Sequence, residues 1–167
     1  MGAREVLRYP HATLKTAAAD VEPGPAAEQL ARDLVDTMRA SPACVGIAAP
    51  QIGVSARAFC IDVSGHRRAK TNHGLVVMIN PVVVKRDGRD VMREGCMSLP
   101  DLTANVGRAE RVTVEGSSPQ GERLTIEAEG FEARAFQHEI DHLAGLLFLD
   151  RVSSLTADVF PRKRYDR

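Results

Sequence analysis

The chain has 167 residues, 44% of them hydrophobic, and its 22 Lys and Arg are balanced by 22 Asp and Glu. That length suits one domain, expected over 1–167, while zero net charge and 4% aromatics without Trp argue against a nucleic-acid site. The longest apolar runs are too short to span a bilayer, and three cysteines with no close pair indicate a reducing compartment, read as cytoplasm.

No charged-then-apolar leader opens the sequence, and Val6 stands where a myristoylation signal requires Ser or Thr. Leu30, Leu34, Val35 and Met38 recur at helical spacing within 23–40 and predict an amphipathic helix. Strand-like runs follow at 57–63, 75–80 and 82–85, with Asp87-Gly88 as a hairpin turn. The intervening loop 65–74 carries His66, Arg67, Arg68, Lys70 and His73 and is read as a solvated excursion, not a second metal site. Val112 and Val114, then Leu124, Ile126 and Ala128, alternate around a turn at 117–121. The expected fold is α+β, with mixed, mostly antiparallel sheets packed around a central metal-binding helix. The tail 161–167 holds four basic residues, read either as a frayed terminus or as a ribosome contact.

The central helix is the one containing His138-Glu139-Ile140-Asp141-His142. At about 100° per residue, Phe131, Ala135, His138 and His142 share one narrow face, while Ala133, Phe136, Ile140 and Leu143 share the opposite one. Two apolar faces describe a helix inside the molecule. Histidines one turn apart can grip a single metal ion, and the glutamate between them can take a proton from a metal-bound water. Glu132 lies in the first turn and Gly145 follows the last, both at positions that favour helix ends. Arg134 flanks the histidine face and is expected to pair with Asp141.

The third ligand decides the class. In one metallopeptidase pattern, H-E-x-x-H-x-x-G-x-x-H, the last histidine would fall where Phe148 stands. Beyond His142 only Asp150, Asp158 and Asp166 could ligate, so the ligand is sought upstream among His11, His66, His73, Cys44, Cys60 and Cys96. Cys60 sits in an apolar strand-like run and reads as core filling. Cys96 lies in Glu94-Gly95-Cys96-Met97-Ser98-Leu99-Pro100, where Gly95 allows a tight backbone path and Pro100 is expected to interrupt a regular strand. It is the best candidate, with Cys44 left open.

Three segments together resemble the peptide deformylase family: Val45-Gly46-Ile47-Ala48-Ala49-Pro50-Gln51, Glu94-Gly95-Cys96-Met97-Ser98, and Gln137-His138-Glu139-Ile140-Asp141-His142-Leu143. They occur in the family's order, and the similarity extends from Arg4-Glu5-Val6-Leu7-Arg8-Tyr9-Pro10 through Gly145-Leu146-Leu147-Phe148-Leu149-Asp150-Arg151. The resemblance implies removal of the N-formyl group from the N-terminal methionine of nascent polypeptides, with release of formate. It implies Cys96, His138 and His142 as ligands of one divalent metal ion, ferrous iron in the cell, with zinc, nickel or cobalt able to substitute. Glu139 would be the general acid and base, and Gln51 with the backbone N–H of Met97 would stabilise the oxyanion. Gly46 would offer backbone hydrogen bonds to substrate, and Arg108 matches a basic position beside the cleft. Phe131 and Ala135 by helix face, with Val45 and Met92 by resemblance, are candidates for a methionine pocket. The family usually has glycine in place of Cys44 and commonly Leu in place of Met97.

Two imidazoles and one thiolate leave a fourth coordination position for water, whose pKa a metal lowers from about 16 towards 7. Competing readings are a metallopeptidase or amidase on another N-acyl peptide, a non-catalytic metal-stabilised binding module, and a Cys96–His138 thiol hydrolase. Structural zinc usually takes four protein ligands, and three strong ones are found here beside a general base.

Overall fold

A computed structural model describes residues 2–162. Pro25 opens helix α1, Pro25–Ala40, where its missing N–H costs nothing. The preceding Gly24, at φ 140°, takes the chain out of helical geometry, so α1 begins two residues later than periodicity suggested. Leu34 and Met38 pack this helix against Ile47, Ile52 and Cys60, and Cys60 is fully buried there.

Among the described residues eight strands form two antiparallel sheets, β1-β2-β3-β6-β7 and β4-β5-β8. In the larger sheet β1 is Gly46–Ala48, β2 Ala58–Ile61, β3 Val76–Asp87, β6 Arg111–Ser117 and β7 Arg123–Glu129. In the smaller, β4 is Asp90–Cys96, β5 Leu99–Arg108 and β8 Val159–Pro161. The alternating valines of β6 and β7 pair in register, Val112 with Ala128 and Val114 with Ile126.

Three expectations are corrected. The runs 75–80 and 82–85 are one strand, because β3 passes through Pro81 at a register shift between Ile79 and Val82. Asn80 absorbs that irregularity at φ 51°, and its side chain bonds both the N–H and the carbonyl of Val21 at 2.8 Å. Asp87-Gly88 does turn the chain, but it carries it between sheets: β3 pairs with β6, while β4 pairs with β5. Pro100 does not interrupt a strand either. It is the second residue of β5, near the strand's start, where a missing donor is tolerated.

Helix α2, Gly130–Leu143, buries ten of its 14 residues, so its polar side chains need partners inside the protein. Phe136 meets Phe59 edge-on at 5.8 Å, and both are fully buried, each worth roughly 1.5–3 kcal/mol of transfer free energy. Gly145 ends the helix at φ 78°, where a Cβ would lie 2.9 Å from the backbone of Lys15. Leu14, Leu99, Val106, Leu147 and Phe148 form a further cluster that includes Cys96. No helix among the described residues is long and apolar enough to cross a membrane. Of the basic tail, Pro161 pairs with Leu102 in β8, whereas 163–167 lie outside the described residues.

Candidate metal centre

Three buried or nearly buried side chains converge where the end of β4 meets α2. One ligand atom each from Cys96, His138 and His142 lies within 4.8 Å of the others. The imidazole ring centres are 5.0 Å apart with their planes at 72°, and Cys96 Sγ is 3.4 Å from His142 Nε2. One helical turn separates the histidines. The sulfur is brought in by a two-residue turn at 97–98, across which Cys96 pairs with Leu99.

Burial alone would raise the pKa of the Cys96 thiol, but the imidazoles of His142 and His138 hold it well below the usual range. Burial would likewise lower His138, yet Cys96 and Glu94 hold it well above its ordinary value. The two shifts are reciprocal: the imidazoles favour the thiolate, while the thiolate and the Glu94 carboxylate set a negative field beside the buried His138 ring. A divalent cation fits that field and can displace the protons it attracts. His142 Nδ1 and Glu139 Oε1 are buried without a hydrogen-bond partner, which also suits a site built around a further polar group.

Glu94 was not singled out by sequence, although the signal was present: residues two apart on a strand share a face, so Glu94 and Cys96 point together. Its Oε1 lies 2.8 Å from His138 Nδ1, which leaves Nε2 towards the centre. Arg108 donates to both its oxygens, Nε at 2.9 Å and Nη2 at 3.0 Å, and Arg134 Nη1 donates at 2.5 Å. Burial would raise the Glu94 pKa; His138 and Arg108 instead hold it well below the carboxylate range.

Arg108 therefore does not stand beside the cleft as expected. It is 6% exposed and bridges Glu94 to Asp141, whose Oδ2 is 2.5 Å from its Nη1. Arg151 completes the partners of Asp141 at 2.9 and 3.0 Å. The expected Arg134–Asp141 pair is absent for a geometric reason. Seven residues on a helix span about 10 Å, and β4 and β5 offer Arg134 nearer acceptors: Glu94 and the carbonyls of Asp90 and Val106.

Glu139, 4% exposed, has its pKa raised by burial despite the nearby His138 and His142. A Cβ on Gly46 would come within 2.8 Å of Glu139 Oε2, so the absence of a side chain there makes room for the carboxylate. Gln51 accepts from the N–H of Ala48 at 3.0 Å, which fixes its amide so that Nε2 points to Ser98 Oγ at 3.2 Å and Cys96 Sγ at 3.5 Å.

These groups open onto a cleft of about 390 Å³ lined by Val45, Gly46, Gln51, Met97, Phe131 and Ala135, among others. Met92 does not line it. The loop 65–74 is more than a solvated excursion, because His66 stacks on Phe131 with ring centres 4.0 Å apart and lines the cleft beside Arg68. No second group of three metal-ligating side chains occurs among the described residues. His73 is instead occupied by Glu132, 2.6 Å away. The left-handed backbone near Cys44 falls one residue earlier, on Ala43 at φ 56°. The Cys44 thiol reaches the Gly46 carbonyl at 3.1 Å, and burial, with the charge of Glu139, pushes its pKa to about 12. It remains a thiol at neutral pH.

An HExxH helix joined by a strand-borne cysteine, with α+β architecture, defines a class of metal-dependent hydrolases with a Cys-His-His ligand set. The sequence model of the polypeptide deformylase family matches residues 3–158, and the chain belongs to that family. A peptide deformylase of Halothermothrix orenii is 48% identical over 120 residues, 72% of this chain and 73% of the relative. One of Thermodesulfovibrio yellowstonii is 38% identical over 98% of this chain and 97% of its own length. The crystal structure of a peptide deformylase from Legionella pneumophila superposes with a TM-score of 0.82 at 39% identity, covering 92% of this chain and 88% of that one.

Proposed function

We propose that the protein, acting as one catalytic domain, hydrolyses the N-formyl group from the N-terminal methionine of new polypeptides and releases formate. The observation that carries this reading is the meeting of Glu139, the Cys96-His138-His142 triad and the Gly46 edge within one cleft. Cys96, His138 and His142 would hold one divalent ion, ferrous iron in the cell, with zinc, nickel or cobalt able to replace it. When bound, such an ion supplies Lewis acidity and a water of lowered pKa.

The side chains divide the remaining work. Glu139 takes the proton of the attacking water and delivers it to the departing amine; its raised pKa suits the second task. The Gln51 amide and the Met97 N–H donate to the oxygen of the formyl group as it gains charge, each worth roughly 3–4 kcal/mol in such sites. Among the described residues strand β1 is a sheet edge whose one partner is β2, so a peptide can lie along Gly46 as an added strand. Val45, Phe131 and Ala135 supply apolar surface for methionine. Glu94, held by Arg108 and Arg134, keeps His138 in its ligating orientation.

Phe148 supports this reading over an internal-bond metallopeptidase: it occupies the place of that pattern's third histidine and is 1% exposed in the core. The substrates belong to the cytoplasm, and the basic tail is a candidate ribosome contact. Deleting 162–167 should then reduce ribosome co-sedimentation. The central test is formate release from formyl-Met-Ala-Ser by nickel-loaded protein, abolished by chelator. Glu139→Gln should bind nickel with nearly unchanged occupancy and release no formate. Turnover by a folded, loaded Glu139→Gln variant would overturn the role of Glu139.

A further inference from the structure

The mouth of the cleft has a charge that its floor does not. Arg68 from loop 65–74, Arg93 from β4 and Arg162 just beyond β8 all line it. The carboxylates among the lining residues are Glu94 and Glu139, both buried, and Glu94 is already neutralised by Arg108 and Arg134. Among the described residues none of the three rim arginines pairs with a carboxylate.

Two of the three are held in place. Arg93 lies over the Phe160 ring at 3.8 Å and donates to Asn105 and Thr103 at 3.3 Å. Arg162 rests against Gly95, where a Cβ would collide with its guanidinium, and its N–H bonds the carbonyl of Asp101 at 2.9 Å. Side chains ordered in advance lose less entropy when they meet an anion. The third, Arg68, is exposed and adjoins His66, whose pKa is lowered by burial and then by Arg68 and Arg67.

We infer that this rim selects formyl-methionyl peptides with acidic side chains in the two residues that follow the methionine. The inference rests on the deformylase reading and adds a substrate class to it. A peptide extended along β1 with methionine on the apolar floor advances about 3.4 Å per residue with side chains on alternating faces, so its next two side chains reach opposite sides of a mouth that carries Arg68 on one element and Arg93 and Arg162 on others. With net charge zero over the whole chain, no general positive field accompanies these three arginines. That favours a short anionic segment threaded from the cleft over a long polyanion tracking a surface.

The experiment compares kcat/KM for formyl-Met-Glu-Glu, formyl-Met-Lys-Lys and the neutral formyl-Met-Ala-Ser, using nickel-loaded protein. At roughly 50 mM salt the Glu-Glu peptide should exceed the Lys-Lys peptide by about tenfold, and the ratio should shrink several-fold at about 0.5 M. In the double variant Arg93→Gln/Arg162→Gln the ratio should approach one. Each ratio is taken on one preparation, so partial misfolding lowers both rates alike and leaves it unmoved. A ratio at or below one, or one unchanged in the variant, would overturn the inference. So would equal rates combined with inhibition by a short RNA. Failure to release formate from the neutral peptide would instead sink the underlying reading.

Discussion

Replacing Glu94 with Gln keeps the side chain's shape and removes its charge, which isolates what the carboxylate contributes. Its two oxygens face four donor atoms: Nε and Nη2 of Arg108, Nη1 of Arg134 and Nδ1 of His138, at 2.5–3.0 Å. The amide keeps one acceptor and turns an NH2 group towards donors that cannot receive it. Breaking one partner of a buried ion pair typically costs about 3–5 kcal/mol. Arg108 retains Asp141, and Arg134 retains the carbonyls of Val106 and Asp90, which places the expected loss near the lower end, about 3 kcal/mol. His138 also loses the group that fixes its ring, so metal affinity should fall roughly 10- to 100-fold. Urea unfolding of chelator-treated protein measures the first effect, and zinc competition with a chelating dye measures the second. A loss below about 1 kcal/mol together with unchanged zinc affinity would refute the assignment of Glu94 as the support of both guanidiniums and the ligand.

Gly46→Ala should place a methyl 2.8 Å from Glu139 Oε2 and 2.9 Å from Ile61 Cγ2, costing about 1–3 kcal/mol of stability. It should depress formate release far more than zinc affinity, as turnover and chelator titration on one sample will reveal. Cys96→Ser should reduce metal occupancy and activity together; unchanged occupancy by elemental analysis would remove Cys96 from the ligand set. Asp150→Ala removes the 2.6 Å contact with Lys15 and the 2.8 Å bond from the Leu147 N–H, for about 0.5–1 kcal/mol once solvent screening is included. Although burial opposes it, the contacts from Lys15 and Leu147 lower the folded pKa of Asp150 below its ordinary value. The stabilisation is therefore complete above the ordinary aspartate range and is lost as pH falls through that lowered pKa, so denaturation midpoints of the two proteins should converge only at pH below it.

Local order carried the sequence reading furthest. The spacing of His138 and His142, the apolar pattern of α2 and the glycine after it are properties of one continuous segment, and α2 ends where Gly145 indicates. Cys60 in the core and the alternation of β6 and β7 were readable for the same reason. What escaped was long-range. Arg134 and Asp141 looked like partners because they share a helix, but each has closer partners elsewhere: Glu94 on β4 for Arg134, and Arg108 and Arg151 for Asp141. Arg108 looked like a cleft cation because nothing local reveals that two carboxylates enclose it. Pro81 looked like a strand end because the compensation by Asn80 and Val21 spans 59 residues. His66 looked solvated because its stacking partner, Phe131, comes from a different element.

The hairpin that delivers the sulfur has a further consequence for how the chain tolerates length changes. Glu94 and Cys96 project from the same side of β4, and only the two residues at 97–98 separate that strand from its partner. One inserted residue between 94 and 99 would displace the thiol from its seat, and slippage of the whole strand would turn the carboxylate away with it. Insertions should therefore be absorbed at exposed turn positions such as 120–122, while this short hairpin has a fixed length wherever the site works.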